Sequence, residues 1–272
     1  QRYDDVRGAT YSLRQDADPA YQWNDGLTSF NSDGYTFGAN GRTNANNETY
    51  HGWAWKKGAT PGLDIVQYEG NGTNRTISHS LGVAPKLMII KNIDSAENWA
   101  VYHQKTGRHF FLRMDSDMAR NDDHEYWNDT DPTSSVFTVG VSDKVNHNNE
   151  THIAYLYSEV TGFSKFGEYV GNNSGKGPFV YCGFRPAMVW IKKFPNSGDW
   201  FIHDTEGYST ANNAGCYFKL NENSVQSCHT IIDFRCNGFQ IRCSSCGGHN
   251  ADGEYYVFAA FAEQSIKYAN AR

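Results

Sequence analysis

Two stretches of this sequence match without a gap: residues 68–104, YEGNGTNRTISHSLGVAPKLMIIKNIDSAENWAVYHQ, and residues 169–205, YVGNNSGKGPFVYCGFRPAMVWIKKFPNSGDWFIHDT. Tyr68, Gly70 and Asn71 answer to Tyr169, Gly171 and Asn172. Gly82 and Pro85 answer to Gly183 and Pro186, Ile90-Lys91 to Ile191-Lys192, and Trp99 to Trp200. The offset is constant, since 169 − 68 and 200 − 99 both give 101. A fixed internal period decides architecture before any local propensity does.

A second block occurs three times. Leu13-Arg14, Asp16, Asp18 and Ala20 match Leu112-Arg113, Asp115, Asp117 and Ala119, with a degenerate third copy at Leu220, Asn221 and Asn223. Tyr35, Phe37 and Gly38 match Phe137, Val139 and Gly140. Asn46-Asn47-Glu48-Thr49 matches Asn148-Asn149-Glu150-Thr151. Each copy closes on a strand-like run: Trp53 and Trp55, then Tyr155 and Tyr157, then Ala259 and Phe261. With the first block called A and the second B, the chain reads B, A-B, A-B. Residues 1–57 are the C-terminal half of a truncated first repeat, 58–160 a second repeat and 161–272 a Cys-rich third repeat. The expected fold is all-β, with tandem jelly-roll-like β-sandwich units of roughly 100 residues that fold independently.

The strand readings agree with that architecture. Lys86-Leu87-Met88-Ile89-Ile90-Lys91 and Met188-Val189-Trp190-Ile191 are apolar at successive positions, as in strands covered on both faces. Trp53 and Trp55 alternate with Gly52 and Ala54, the period of a strand with one large-residue face. Ser32-Asp33-Gly34, Gly70-Asn71-Gly72 and Asn237-Gly238 supply turns. Aromatics make up 15% of the chain and charged residues only 20%, which suits strands more than surface helices. The net charge is −6, so no basic footprint for nucleic acid exists. No apolar run reaches the ~18 residues of a membrane-spanning helix, and no stretch reads as a signal peptide. The chain opens on Gln1 rather than Met, so upstream residues are expected.

The run from Tyr68 to His103 resembles a repeat of virion structural proteins from aquatic bacteriophages, those of cyanobacteria and other marine bacteria. So do residues 165–192 and the ending Phe258 to Arg272. The resemblance covers nearly the whole chain and rests on dispersed Gly, Pro and Trp positions; the cysteines of the third copy depart from it. It implies a tail fibre or virion appendage built of tandem domains, without an assigned reaction.

Six cysteines, Cys182, Cys216, Cys228, Cys236, Cys243 and Cys246, all lie in the third repeat. They are disulfide candidates in an extracellular setting, with pairing left open among 15 connectivities. Cys243-Ser244-Ser245-Cys246 also has the spacing of half a zinc site, with His229 and His249 as further ligands; free buried thiols are the third reading. The pairs Asp16/Asp18 and Asp115/Asp117 are weak metal candidates, because alternate carboxylates share a hard cation, although turn closure is the commoner use of Asp. No metal or other cofactor is expected. His203-Asp204 are sequence neighbours that face opposite sides of a strand, and Tyr102 rather than His103 aligns with His203. No nucleophile elbow, zinc-protease motif or phosphate loop occurs, so no catalytic residue is assigned; paired carboxylates from distant strands are the open enzymatic route. Trp99 and Trp200 read as core. Trp23 and Trp127 sit beside polar residues and are the glycan-contact candidates. The sequons at Asn47, Asn71 and Asn149 read as turn chemistry.

A B block without its A block leaves strand edges open. Either the chain begins mid-domain or a neighbouring subunit donates strands. Donation predicts that Trp53 and Trp55 are exposed in the isolated chain; burial against 58–160 makes donation unnecessary. The expected function is that of a non-enzymatic structural protein of a phage virion, a tail fibre, appendage or capsid-surface component, serving assembly and host adhesion. It is expected to bind copies of itself or other virion proteins, with host-surface glycan as a further contact. A carbohydrate-binding receptor module, a polysaccharide depolymerase and an extracellular filament subunit are the rivals.

Overall fold

The computed structural model describes residues 1–14, 20–206, 209–210, 213–224, 226–229 and 231–263. The chain is all-β, with antiparallel pairing throughout the described strands and helices of a single turn. In the second repeat a six-stranded sheet runs in the order Asn121–Asp122, Phe110–Arg113, Ala100–His103, Leu87–Asn92, Thr151–Tyr157, Leu63–Glu69. In the third repeat the order is Ser227–Cys228, Cys216–Lys219, Trp200–Asp204, Met188–Lys193, Tyr255–Phe261, Ser164–Val170. Strand by strand, the two orders are the same. A smaller layer covers one face of each: Arg75–Ser78 paired with Val136–Val139, and Phe179–Tyr181 paired with Gly238–Ile241. In the third repeat that layer is extended by Ile232–Arg235 beyond Gly238–Ile241.

Leu87–Asn92 is buried at every position because its strand has a neighbour on each side and a layer on each face. Alternation sends Leu87 and Ile89 one way and Met88 and Ile90 the other. Met88 and Ile90 meet Ile77, Phe137, Trp127 and Val145 in a core private to the second repeat. Val189 and Ile191 meet Ile232, Phe239 and Ile241 in the matching core of the third.

Buried polar groups join the A and B blocks at the same points in both repeats. Asn146 accepts from the Asn71 backbone N–H at 3.0 Å and donates to the Thr73 and Gly140 carbonyls at 2.7 and 2.8 Å. Asn250 accepts from the Asn172 N–H at 2.9 Å and donates to the Ser174 and Cys243 carbonyls at 3.0 and 2.7 Å. Beside them, Tyr68 stacks on His152 at 5.3 Å and Tyr169 on Tyr256 at 5.0 Å. Gly70 and Gly171 lie against backbone there: a Cβ would come within 2.1 Å of the His147 oxygen and 2.2 Å of the Ala251 oxygen. Any side chain would force the two blocks apart.

The repeats are not independent beads. Their outward sheet faces meet in one large core containing Leu87, Ile89 and Tyr157 from the second repeat and Trp190, Ile202 and Phe261 from the third. Residues 1–57 complete it with Leu13, Trp53 and Trp55. Contacts between repeats recur in order. Trp99 Nε1 donates to the Arg14 carbonyl at 3.1 Å, and its counterpart Trp200 donates to the Arg113 carbonyl at 2.7 Å. Tyr155 Oη donates to Asp4 Oδ2 at 2.7 Å, His103 Nε2 lies 3.2 Å from the Phe258 carbonyl, and Trp53 Nε1 donates to Asp204 Oδ2 at 2.9 Å. Those three contacts run from the first repeat to the second, the second to the third, and the third back to the first. The arrangement is a closed triangle.

Two register details correct the sequence reading. Arg113 pairs with Ala100 and Lys219 with Phe201, so the third-copy counterpart of Leu112 is Phe218 and that of Met114 is Leu220. Trp53 and Trp55 are half-buried, and the cover comes from the third repeat: Trp55 meets Trp190 and Phe261 edge-on, and Trp53 meets Phe218. Neither the exposure that strand donation required nor burial against 58–160 is what occurs.

Candidate functional site

An open groove of about 540 Å³ lies where the second and third repeats meet. The strand Phe179–Tyr181 supplies its aromatic wall. Val180 turns into the core, so alternation places Phe179 and Tyr181 together on the outer face, Tyr181 64% exposed. Gln104 reaches across the seam and donates to the Phe166 carbonyl at 2.9 Å. Lys105 meets Glu168 at 3.4 Å, and Lys165 meets Glu159 at 2.7 Å. These pairs are partly solvated and contribute little to stability. They do line the rings with donors and acceptors, the chemistry that receives a hydroxyl-rich ligand stacked on an aromatic face.

The sequence-predicted glycan contacts lie elsewhere. Trp127 is fully buried, donates to the Phe110 carbonyl at 3.1 Å and packs edge-on against Tyr102. Its polar neighbours Asn128 and Asp129 take left-handed backbone (φ 47° and 49°) and end the one-turn helix His124–Trp127, while the indole turns inward. Trp23 is half-buried, and the Arg42 guanidinium lies 4.9 Å over its ring. The groove at Phe179 and Tyr181 was legible only as strand alternation beside Pro178.

Asp16 and Asp18 lie outside the described residues. Asp115 and Asp117 are not brought onto a common ion. Asp115 accepts from Asn98 at 2.9 Å, and burial raises its carboxyl pKa. Asp117 turns its side chain to solvent, and its backbone carbonyl accepts from Lys192 Nζ at 2.9 Å. Lys192 Nζ also donates to the Gly198 carbonyl. A buried ammonium thus serves the turn where a metal was considered, its pKa lowered to about 8 by burial. Among the described residues no group of three or more His, Cys, Asp or Glu is placed to hold a metal.

Four of the six cysteines form disulfides. Cys216–Cys228 joins neighbouring strands, and Cys243–Cys246 closes the loop before the helix Gly247–Asn250. Cys182 and Cys236 are free, which corrects their assignment as disulfide partners: Cys182 is buried in the third-repeat core, its thiol pushed up to about 12 by burial, and Cys236 is exposed. The oxidised Cys243–Cys246 pair has no thiolate to offer zinc.

His203 does not face Asp204 as a dyad. Its Nε2 lies 2.9 Å from Nε2 of His249, both rings buried, so one nitrogen donates and the other accepts. Burial, and then His203, hold His249 well below the usual histidine range. His249 occupies the place of Val145 and His203 that of Tyr102. That double exchange at repeat-equivalent positions was the signal available in the sequence. A cavity of about 350 Å³ opens beside the pair, lined also by Phe201, Tyr217 and the Cys243–Cys246 bridge.

Three β repeats closed on a common aromatic core, with an open groove at one seam, define a repeat-built all-β protein. The chain belongs to the family described as a domain of unknown function, DUF7483, whose model matches residues 1–265. No curated protein matches it. No solved structure matches it.

Proposed function

We propose that the chain is a non-enzymatic structural component of a phage virion, a tail fibre, appendage or capsid-surface element, acting in assembly and host adhesion. The observation that carries this reading is the closed triangle. Trp99, Trp200 and Trp53 each donate across a seam, and the rings around them pack into the shared core that holds each repeat to the next, as in a mechanical part. The sequence resemblance to virion proteins of aquatic phages supports the setting. The two disulfides suit an oxidising, extracellular environment, and no described helix is long and apolar enough to cross a membrane. Imaging of intact particles with an antibody raised against the chain tests the reading. Label on the virion surface is the expected result, and particles that lack the chain refute it.

The groove favours a second reading, a carbohydrate-binding module, with Phe179 and Tyr181 as the stacking rings. Tyr181→Ala is then expected to abolish retention on a host polysaccharide column while leaving the unfolding temperature unchanged. Polysaccharide hydrolysis by the purified chain would instead make it a depolymerase.

A further inference from the structure

The groove between the second and third repeats carries rings that the fold does not require. Ile77 and Val180 stand at the same place in their repeats, each buried and each paired across its small layer, with Phe137 and with Phe239. Thr76 and Ser78 flank Ile77, and both are exposed; Phe179 and Tyr181 flank Val180. The same strand is therefore built once with small hydroxyl side chains outward and once with two rings, Phe179 being 46% exposed. Rings left in water where threonine and serine serve the same ladder add little to packing and point to a contact outside the chain. They stand roughly 7 Å apart, two residues along one strand. Two rings in line on an open groove suit a chain of sugars better than a single one.

The charges of this seam are particular to it as well. Lys86, Lys105 and Lys165 line the groove with Glu159 and Glu168. Lys105 and Lys165 each hold one of the two carboxylates, at 3.4 and 2.7 Å. Among the described residues Lys86 makes no ion pair. Its backbone is fixed between strands: its N–H donates to the Tyr157 carbonyl at 2.7 Å, and its carbonyl accepts from the Gln104 N–H at 2.9 Å. Three ammonium groups against two carboxylates leave the groove positive on a chain of net charge −6. One seam earlier these charges are not kept. Asp5 and Val6 follow Asp4 as Gln104 and Lys105 follow His103. The ladder registers put Asp64 and Gln67 where Lys165 and Glu168 stand, and Lys57 takes the place of Glu159. Asp64 is buried, its carboxylate accepting from the Ser80 N–H at 2.6 Å and the Ser80 hydroxyl at 2.8 Å. The joint between repeats thus forms without the rings and without the lysines.

We propose that the groove binds an acidic polysaccharide. Its sugar rings lie on Phe179 and Tyr181, and an anionic group of the chain is taken by Lys86. The proposal rests on the carbohydrate-binding reading of the groove and adds to it the charge of the ligand. An anion meets the one ammonium in the groove that no carboxylate answers, and hydrogen bonds to charged groups are the stronger ones.

The test applies the whole chain to a printed array of bacterial surface polysaccharides, acidic and neutral. Each acidic polymer is paired with its carboxyl-reduced or desulfated form, and the best-bound one is carried to calorimetry. Binding is expected to be confined to the acidic members and lost in the treated forms, the treatment that removes it naming the anion. Lys86→Gln weakens binding about tenfold. Glu168→Gln, which removes a carboxylate and releases Lys105, strengthens it about threefold. Added salt weakens the wild-type chain more than the Lys86→Gln chain. Both side chains reach solvent, and an unchanged unfolding temperature verifies that the variants fold; a loss of structure would not move the two affinities in opposite directions. Equal binding to the neutral forms, or a Lys86→Gln chain that binds as tightly as the wild type, overturns the acidic ligand and leaves the carbohydrate reading standing. Binding to no glycan on the array defeats both.

Discussion

His103 is buried at the seam between the second and third repeats, and burial lowers its pKa to about 4. In the unfolded chain it titrates near the ordinary 6.5. Between those values the unfolded state binds the extra proton, so stability falls as pH falls from 6.5 toward 4, by about 3 kcal/mol for this residue. His152 and His249 shift in the same direction and add to it. His103→Gln, measured by urea unfolding at several pH values, is expected to flatten that slope. The cysteines give a second residue-scale expectation. Without reductant one thiol, Cys236, reacts in the native protein and a second, Cys182, only in denaturant. Two reactive thiols in the native state would contradict the burial of Cys182. Residue roles were the least legible level of the sequence. Trp127 stands beside polar residues that shape a turn, and neighbours along a chain do not say which way a ring points. The His203–His249 pair needed two distant strands to be aligned before either histidine looked unusual.

At the scale of elements, the asparagine ties decide how an A block holds a B block. Asn146→Ala removes an acceptor and two donations from buried backbone groups, with an expected loss of about 3 kcal/mol in chemical denaturation. Gly140→Ala is expected to cost a similar amount, about 3 kcal/mol, because its Cβ would fall 2.1 Å from the Glu125 carbonyl oxygen. Strands were readable where burial on both faces makes a continuous apolar run, as in Leu87–Asn92 and Met188–Lys193. The closing runs were harder. Trp53 and Trp55 alternate as in a strand, yet residues 51–57 make no ladder, whereas Thr151–Tyr157 and Tyr255–Phe261 are flanked on both sides. An alternating pattern needs a neighbouring edge before it becomes a strand.

For the whole molecule, the shared core predicts one cooperative unfolding transition. Trp190→Ala, which strips contacts with Trp55, Tyr157 and Phe261, is expected to destabilise the entire chain by about 4 kcal/mol. Two separate calorimetric transitions would show the repeats melting apart. Residues 161–272 produced alone expose Phe166, Trp190, Ile202 and Phe261, and are expected to bind a hydrophobic dye and associate. The constant offset of 101 revealed the copies, but not their closure. Leu87 and Met88 are equally apolar, and nothing in their order says that one faces its own repeat and the other the next.

Because Trp53 returns to Asp204, the triangle is made by one polypeptide instead of three identical ones. A symmetric homotrimer would carry any innovation in triplicate. Here a single sector holds two cross-links and an imidazole pair, while the second repeat has Tyr102 and Val145 at the positions of that pair. With the corners in one chain, a change at one corner is carried once, and the joint at the centre stays as it is.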